Sequence, residues 1–290
     1  MAKLVDEFTL SFTVTSNGII STSFVNCAQY AMRDRPTGHC RLCLQNRLLC
    51  DSHLMPRATY GLLRSPNRTN PNPVHITNGK DRVISSRQIK DYLLCEECER
   101  RFHSNGEDYV MANCYRGKNK FKLREALLRH IPMTSKLGIS VYKAADIPEM
   151  DVTRLIYFAA SIFWRASAHH WRIKNQIINI SLGPYREELR RFLLGGAFPD
   201  TACLSFRVSK LEGFLLTIRT PASITEQGFH RHSFLMLGLE FLLFAGKLMP
   251  QGYRLSSAMP GGLVLMSERA DDAMLQELGR AAGSPITSRL

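Results

Sequence analysis

Acidic side chains are the scarce class in this sequence of 290 residues: 25 Asp and Glu face 38 Lys and Arg, a net charge of +13 at neutral pH. Such an excess steers phosphate toward the surface, so the expected partner is a polyanion, nucleic acid ahead of acidic lipid. A long uncharged run is also lacking. The most lipid-like stretch, Ser233 to Met249, carries Glu240 and Lys247, whereas a membrane span wants about 20 apolar residues with few charges. It reads as a buried strand or helix, and no membrane contact is expected. The start, MAKLVDEFTLSF, has no basic segment leading into a clean apolar one; no secretory signal is expected, and the reducing cytoplasm is the expected compartment. No internal repeat or low-complexity tract is visible. With 44% hydrophobic and 22% charged residues, disorder is excluded as the default.

What is present is unevenly spread. From Arg33 to His130 there are 19 basic and 10 acidic residues, +9 of the total +13. Within it, Arg100 to Arg129 holds eight basic and three acidic residues with Tyr109, Tyr115 and Phe121 between them. That mix suits phosphate contacts with occasional stacking, or a plainly solvated face.

The length allows one large core or two modest ones, and two parts are expected, residues 1–135 and 136–290. In the first thirty residues, FTLSFTVT and IISTSFV flank Asn17-Gly18, a turn dipeptide that predicts a hairpin. Ser65 to Arg82, rich in Pro, Asn and Gly, predicts a projecting loop. Phe121 to His130 has helical spacing, and IPMTSKLG after it reads as a boundary. Leu155, Ile156, Ala159, Ile162 and Phe163 predict a long helix from Asp151 to Trp171, and Pro184 opens a second helix that stops at a Gly pair. CLSFRV and GFLLTIRT predict a strand hairpin, and Ser267 to Ala282 a closing helix. The fold class is therefore α+β: a metal-bound module followed by a mixed part of helices and antiparallel strands.

Eight cysteines stand at 27, 40, 43, 50, 95, 98, 114 and 203. Four of them form two C-x-x-C pairs, Cys40/Cys43 and Cys95/Cys98, separated by 51 residues. A single pair can be a redox motif; two pairs flanking a basic segment can close a tetrahedral four-thiolate shell around one zinc ion. Four protein thiolates leave no open position, so that zinc is expected to hold the fold rather than react.

Between the pairs lies LLCDSHLMPRATY, Leu48 to Tyr60. A C-x-x-C, a strand carrying acid, His, two apolar residues and Pro, and a second C-x-x-C opening a helix resembles the zinc-containing HNH (His-Me finger) nucleases, over about Cys40 to Tyr109. The resemblance implies a ββα, treble-clef-like module that hydrolyses phosphodiester bonds of nucleic acid, DNA more than RNA. It implies that His53 is the general base, a role suited to a pKa near neutrality. It also implies a catalytic Mg2+ or Mn2+. The family usually places an acidic or His ligand just before the base; here Ser52 stands there, with Asp51 one place earlier on the opposite strand face. The other ligand usually follows the last knuckle cysteine, and here that is Glu99, with His103 and Glu107 one and two helical turns on. Arg57, Arg64, Arg100, Arg101, Lys118 and Lys120 would then meet phosphates. The association of such proteins with prokaryotic antiviral defence comes from the resemblance as well.

Two other readings compete. Arg165 and His170 in WRASAHHW resemble the Arg-His pair of the HEPN ribonucleases, all-helical dimers; alternatively Trp164 and Trp171 anchor a core helix while Arg165 and the histidines face water or a partner. A non-catalytic zinc-stabilised binding or adaptor protein is the alternative from a different class, and Ser52 and Glu99 favour it. The second part carries no motif and suits recognition, sensing, or a homodimer or protein-partner contact.

Overall fold

Backbone polar groups and apolar faces are reconciled around one buried helix. The computed structural model describes residues 35–64, 72, 74–77, 81–118, 120–173, 176–210, 215–226, 229–247, 249, 251–255, 262–267 and 286–288. Contacts divide the chain into Met1–Arg35 and Pro36–Leu290. Every element given below belongs to the second unit, an α+β assembly of helices with antiparallel and mixed sheets.

The cysteine module comes first. Strand β1 (Thr37–His39) pairs with β2 (Asn46–His53), which leads into the short helix α1 (Arg57–Leu62). Two strands, β3 (Val74–Thr77) and β4 (Asp81–Ile84), form an antiparallel ladder where the composition predicts a loop. The β-branched Val74, Ile76, Thr77, Val83 and Ile84 favour that pairing over the loop that Pro, Asn and Gly content predicts. Next, β5 (Lys90–Cys95) pairs with β2 and passes directly into α2 (Glu96–Phe102). Three glutamates in the first turn of α2 suit the positive end of the helix dipole. A π-helical turn, His103–Glu107, joins α2 to α3 (Asp108–Asn113), and α4 (Lys122–Leu128) follows.

IPMTSKLG does not end a core. Its Thr134–Lys136 is β6, which turns back into β7 (Ile139–Lys143) at one edge of a seven-stranded sheet. Helix α5 (Val152–Ala168) is capped by the Asp151 carboxylate, which accepts from the Arg154 N–H at 3.0 Å. Its side chains are buried without a break from Leu155 to Ser167, as a helix hydrophobic all round must be. Trp164 and Trp171 are both anchored in the core. A small hairpin, β8 (Trp171–Ile173) and β9 (Gln176–Ile178), precedes α6 (Tyr185–Leu193), amphipathic with Leu189 and Leu193 inside.

Of the strands expected after α6, CLSFRV forms within β10, only residues 218–220 of GFLLTIRT enter a strand, and the two do not pair as a hairpin. β10 (Ala202–Ser209) lies between β13 (Leu239–Ala245) and the parallel β14 (Leu263–Ser267). β11 (Ile218–Glu226) pairs with β12 (Phe229–Met236) at the far edge. The full order is β11-β12-β13-β10-β14-β7-β6. The lipid-like stretch is thus the β12–β13 hairpin, buried on both faces, which is why it reads as continuous apolar sequence. Its turn, Leu237-Gly238, has both residues at positive φ, and a Cβ on Gly238 would lie 2.7 Å from Phe121 Cε1. A short α7 (Gln251–Leu255) and β15 (Ile286–Ser288), parallel to β4, complete the described elements. The hairpin expected in the first thirty residues lies outside the described residues, as does the expected closing helix beyond Ser267.

The core is continuous across these parts. Phe102 of α2 packs edge-on against Tyr157 and Trp164 of α5, while Phe158 and Phe163 of α5 meet Phe234 of the large sheet. Helix α5 therefore lies between the cysteine module and the seven-stranded sheet.

Candidate metal centre and the His53 strand end

The first knuckle turns at Leu44, whose left-handed backbone (φ 62°) lets its N–H reach the Cys40 carbonyl at 2.8 Å. Cys95 ends β5 and caps α2, so Cys98 falls in the first helical turn. The consequence is convergence of Cys40, Cys43, Cys95 and Cys98, with all four sulfurs within 4.8 Å of one another and Cys43 Sγ 3.9 Å from Cys95 Sγ. Four sulfurs at the zinc–thiolate distance on tetrahedral vertices would stand about 3.8 Å apart. The donor set and its spacing therefore fit a metal ion such as zinc.

Charge is already drawn to this point. A hydrogen bond from the Cys98 thiol, helped by backbone N–H groups including that of Cys95 at 3.3 Å, holds the Cys40 thiol down to about 4. Cys98 is pushed above the usual thiol range by sharing with Cys40 and by burial. Burial also raises Cys43. Arg190 of α6 donates to the Leu42 carbonyl at 2.6 Å and ties the knuckle to the helical layer.

His53 ends β2. Its Nε2 lies 2.6 Å from the Gln88 side-chain oxygen; an amide oxygen only accepts, so in this arrangement Nε2 carries the proton and Nδ1 keeps its lone pair. Desolvation lowers the His53 pKa, against the Gln88 bond and the Asp51 charge, which act to raise it. Neutral imidazole is the favoured form. Tyr60 stands beside it, ring centroids 6.2 Å apart, its phenol pushed up to about 12 by burial.

The other residues of the expected cation site do not converge on His53. Asp51 points to the outer face and pairs with Lys90. The ladder does shift register beside it, between Leu49/Cys95 and Asp51/Tyr92. The extra residue sits in β5, so Ser52 keeps the inward position. The Ser52 hydroxyl is buried and accepts the Leu94 N–H at 3.1 Å. His103 is exposed. Glu99 turns inward: burial raises its pKa, the nearby Arg165 charge and the Ser52 hydroxyl lower it, and its Oε1 is buried with no hydrogen-bond partner. Among the described residues the only group of three or more cysteine, histidine or acidic side chains that converge as metal ligands is the cysteine set. A Mg2+ or Mn2+ held by Glu99 with Asp51 or His103 does not fit this arrangement.

Arg165 occupies that ground instead. It is 1% exposed, its Nη1 donates to the His53 carbonyl at 2.9 Å, its Nη2 pairs with Glu107, and its guanidinium lies 4.7 Å from the centre of the Phe102 ring. Expected at a surface or in a pair with His170, Arg165 is buried, and His170 is exposed. The amino-acid pattern holds one usable signal, since an arginine between Trp164 and Ala166 on a mainly apolar helix needs a buried partner. Gln88 carries no signal of its own.

Of the expected phosphate contacts, Arg57, Arg64, Arg100, Lys118 and Lys120 are exposed and Arg101 is half-buried. Among the described residues no helix is long and apolar enough to cross a membrane. No family model, no curated protein and no solved structure matches the chain.

Proposed function

We propose that the protein is an HNH-like endonuclease, a zinc-stabilised ββα module that hydrolyses phosphodiester bonds of nucleic acid, DNA more than RNA. One observation carries the reading: beside a four-cysteine centre, His53 is desolvated and bonded through Nε2 to Gln88, which leaves Nδ1 as a neutral base. In that role Nδ1 takes a proton from water as the water oxygen bonds to phosphorus, the P–O bond to one sugar oxygen breaks, and the departing sugar alkoxide takes up a proton from solvent. Cys40, Cys43, Cys95 and Cys98 would hold a zinc ion, which would tie the strand to the helix and leave the bond-breaking step to other groups. Arg57, Arg64, Arg100, Arg101, Lys118 and Lys120 hold phosphates, and a place in antiviral defence agrees with such an activity. Incubation of zinc-loaded protein with supercoiled plasmid, with and without Mg2+ or Mn2+, tests the reading; nicking by wild type and none by His53→Ala is the expected result.

A second reading is favoured by the surroundings of Glu99, whose Oε1 is buried without a hydrogen-bond partner. With Ser52 committed to the backbone and Arg165 closing the space, the same module serves as a non-catalytic nucleic-acid-binding or adaptor domain. Retained DNA binding with no nicking under any divalent ion would select it.

A further inference from the structure

The residue that completes the His53 strand end comes from α5, more than a hundred positions away in sequence, and it is a cation that cannot leave. The guanidinium of Arg165 touches the His53 carbonyl (2.9 Å), the Glu107 carboxylate and the face of Phe102 (4.7 Å to the ring centre). Glu99 is close enough for the Arg165 charge to bear on its carboxyl. Arginine stays protonated throughout the accessible pH range, and its planar fork suits simultaneous bonds to a carbonyl and a carboxylate.

We infer that Arg165 is the built-in cation of this module: it stands in for a divalent ion beneath His53, and the four-cysteine centre meets the module's whole metal requirement. The inference rests on the HNH-like reading of the module, since that reading is what calls for positive charge here. Three oxygen ligands that a hard cation would draw on are already engaged, and the one left without a hydrogen-bond partner, Glu99 Oε1, is a single carboxylate oxygen. The His53 carbonyl takes Nη1, Glu107 takes Nη2, and the Ser52 hydroxyl takes the Leu94 N–H. Mg2+ asks for near-octahedral oxygen coordination at about 2.1 Å, which a resident guanidinium both blocks and repels. Arg165 is too deeply buried to touch a scissile phosphate, so it is a positioning residue. It fixes the β2 end that carries His53 and neutralises Glu107, and Glu99 feels its charge.

The π-helical turn is the device that makes this possible. In an unbroken helix Glu99, His103 and Glu107 would share a face. The wider turn from His103 to Glu107 takes Glu107 off the face of His103: His103 lies in solvent while Glu107 meets Arg165. Gly106, the fourth residue of the turn, lets it lie against α5, where a Cβ would stand 2.9 Å from Phe158 Cβ and backbone N. The cation and its acidic partner are thus built by two elements that pack on each other.

The test is a Mn2+ titration of zinc-loaded full-length protein, followed by electron paramagnetic resonance and by broadening of the His53 ring proton signals. Wild type is expected to bind no Mn2+ near His53 through the millimolar range. Arg165→Met, which frees the carboxylates, is expected to gain one Mn2+ site, abolished again when Glu107→Gln is added. Arg165→Lys keeps the charge and is expected to stay silent. Nicking by wild type is expected to proceed equally with and without added Mg2+. Mn2+ that broadens the His53 signals in wild type, or nicking that rises at least tenfold with Mg2+, overturns the inference. Should wild type nick nothing, the endonuclease reading fails, while the wild-type Mn2+ titration still decides the role of Arg165 even if Arg165→Met does not fold.

Discussion

Arg165 Nη1 and the carbonyl oxygen of His53 are 2.9 Å apart across 112 positions of sequence. That hydrogen bond joins the two segments that composition separates, because α5 belongs to residues 136–290 and β2 to the cysteine module. A chain ending near residue 135 would leave Glu107 and the His53 carbonyl without their donor. Removing one partner of a buried charged pair costs about 3–5 kcal/mol.

One zinc per chain is expected. Elemental analysis of purified protein gives the stoichiometry, and a zinc-free preparation would end the assignment. Cys43→Ser should lower the melting temperature and the zinc content together, since metal binding to such a site is part of the folding free energy.

His53→Ala should lower nicking by at least about 100-fold while zinc content and DNA affinity stay near wild type. Because burial depresses the His53 pKa, the base stays neutral to lower pH than an ordinary histidine. The acid limb of the rate profile should therefore have its midpoint below 6.5. A midpoint above that value would assign the limb to another group.

Binding to duplex DNA should weaken with salt. Neutralising Arg57, Arg64, Arg100, Arg101, Lys118 and Lys120 should flatten the slope of log affinity against log salt, by about 0.9 for each phosphate that is no longer paired. A slope that does not change would place the nucleic-acid face elsewhere.

Gly106→Ala should destabilise the fold by about 1–3 kcal/mol, because the clash is with Phe158 and with backbone rather than with a flexible tip. Urea unfolding measures it. Gly61→Ala has open space around the new Cβ and serves as the control.

His232 makes stability depend on pH. Its ring is buried against Phe163, Nδ1 meets the Ser223 hydroxyl at 2.8 Å, Nε2 has no partner, and burial holds its pKa down to about 4 from the usual 6.5. The folded value lies below the unfolded one, so this contribution is complete above pH 6.5 and declines as pH falls toward 4. The full loss is about 3 kcal/mol, from about 2.5 pH units at roughly 1.36 kcal/mol each. Urea midpoints at about pH 7 and pH 5 should differ less in His232→Phe than in wild type; an equal difference would clear His232.

Features that act over short range are legible in the amino-acid order. Cysteine spacing sets the knuckles, Asp151 and the apolar period set α5, and Pro184 with Leu189 and Leu193 sets α6. Each needs only interactions within one element, or one ion shared by two tight turns. Which strands pair and which charges meet is settled by packing in three dimensions. β10 and β11 have the composition of hairpin partners, yet β10 is taken by β13 and β14, because register follows burial of both sheet faces rather than adjacency in the chain. Asp51, Glu99 and His103 have the chemistry of a cation site, yet the strand pleat turns Asp51 outward and His103 lies in solvent while Glu99 turns inward. Arg165 has no local signal for its partners, since what fixes a buried guanidinium is the need to satisfy its donors, and those acceptors, the His53 carbonyl and Glu107, reach it only when α5 packs against the cysteine module.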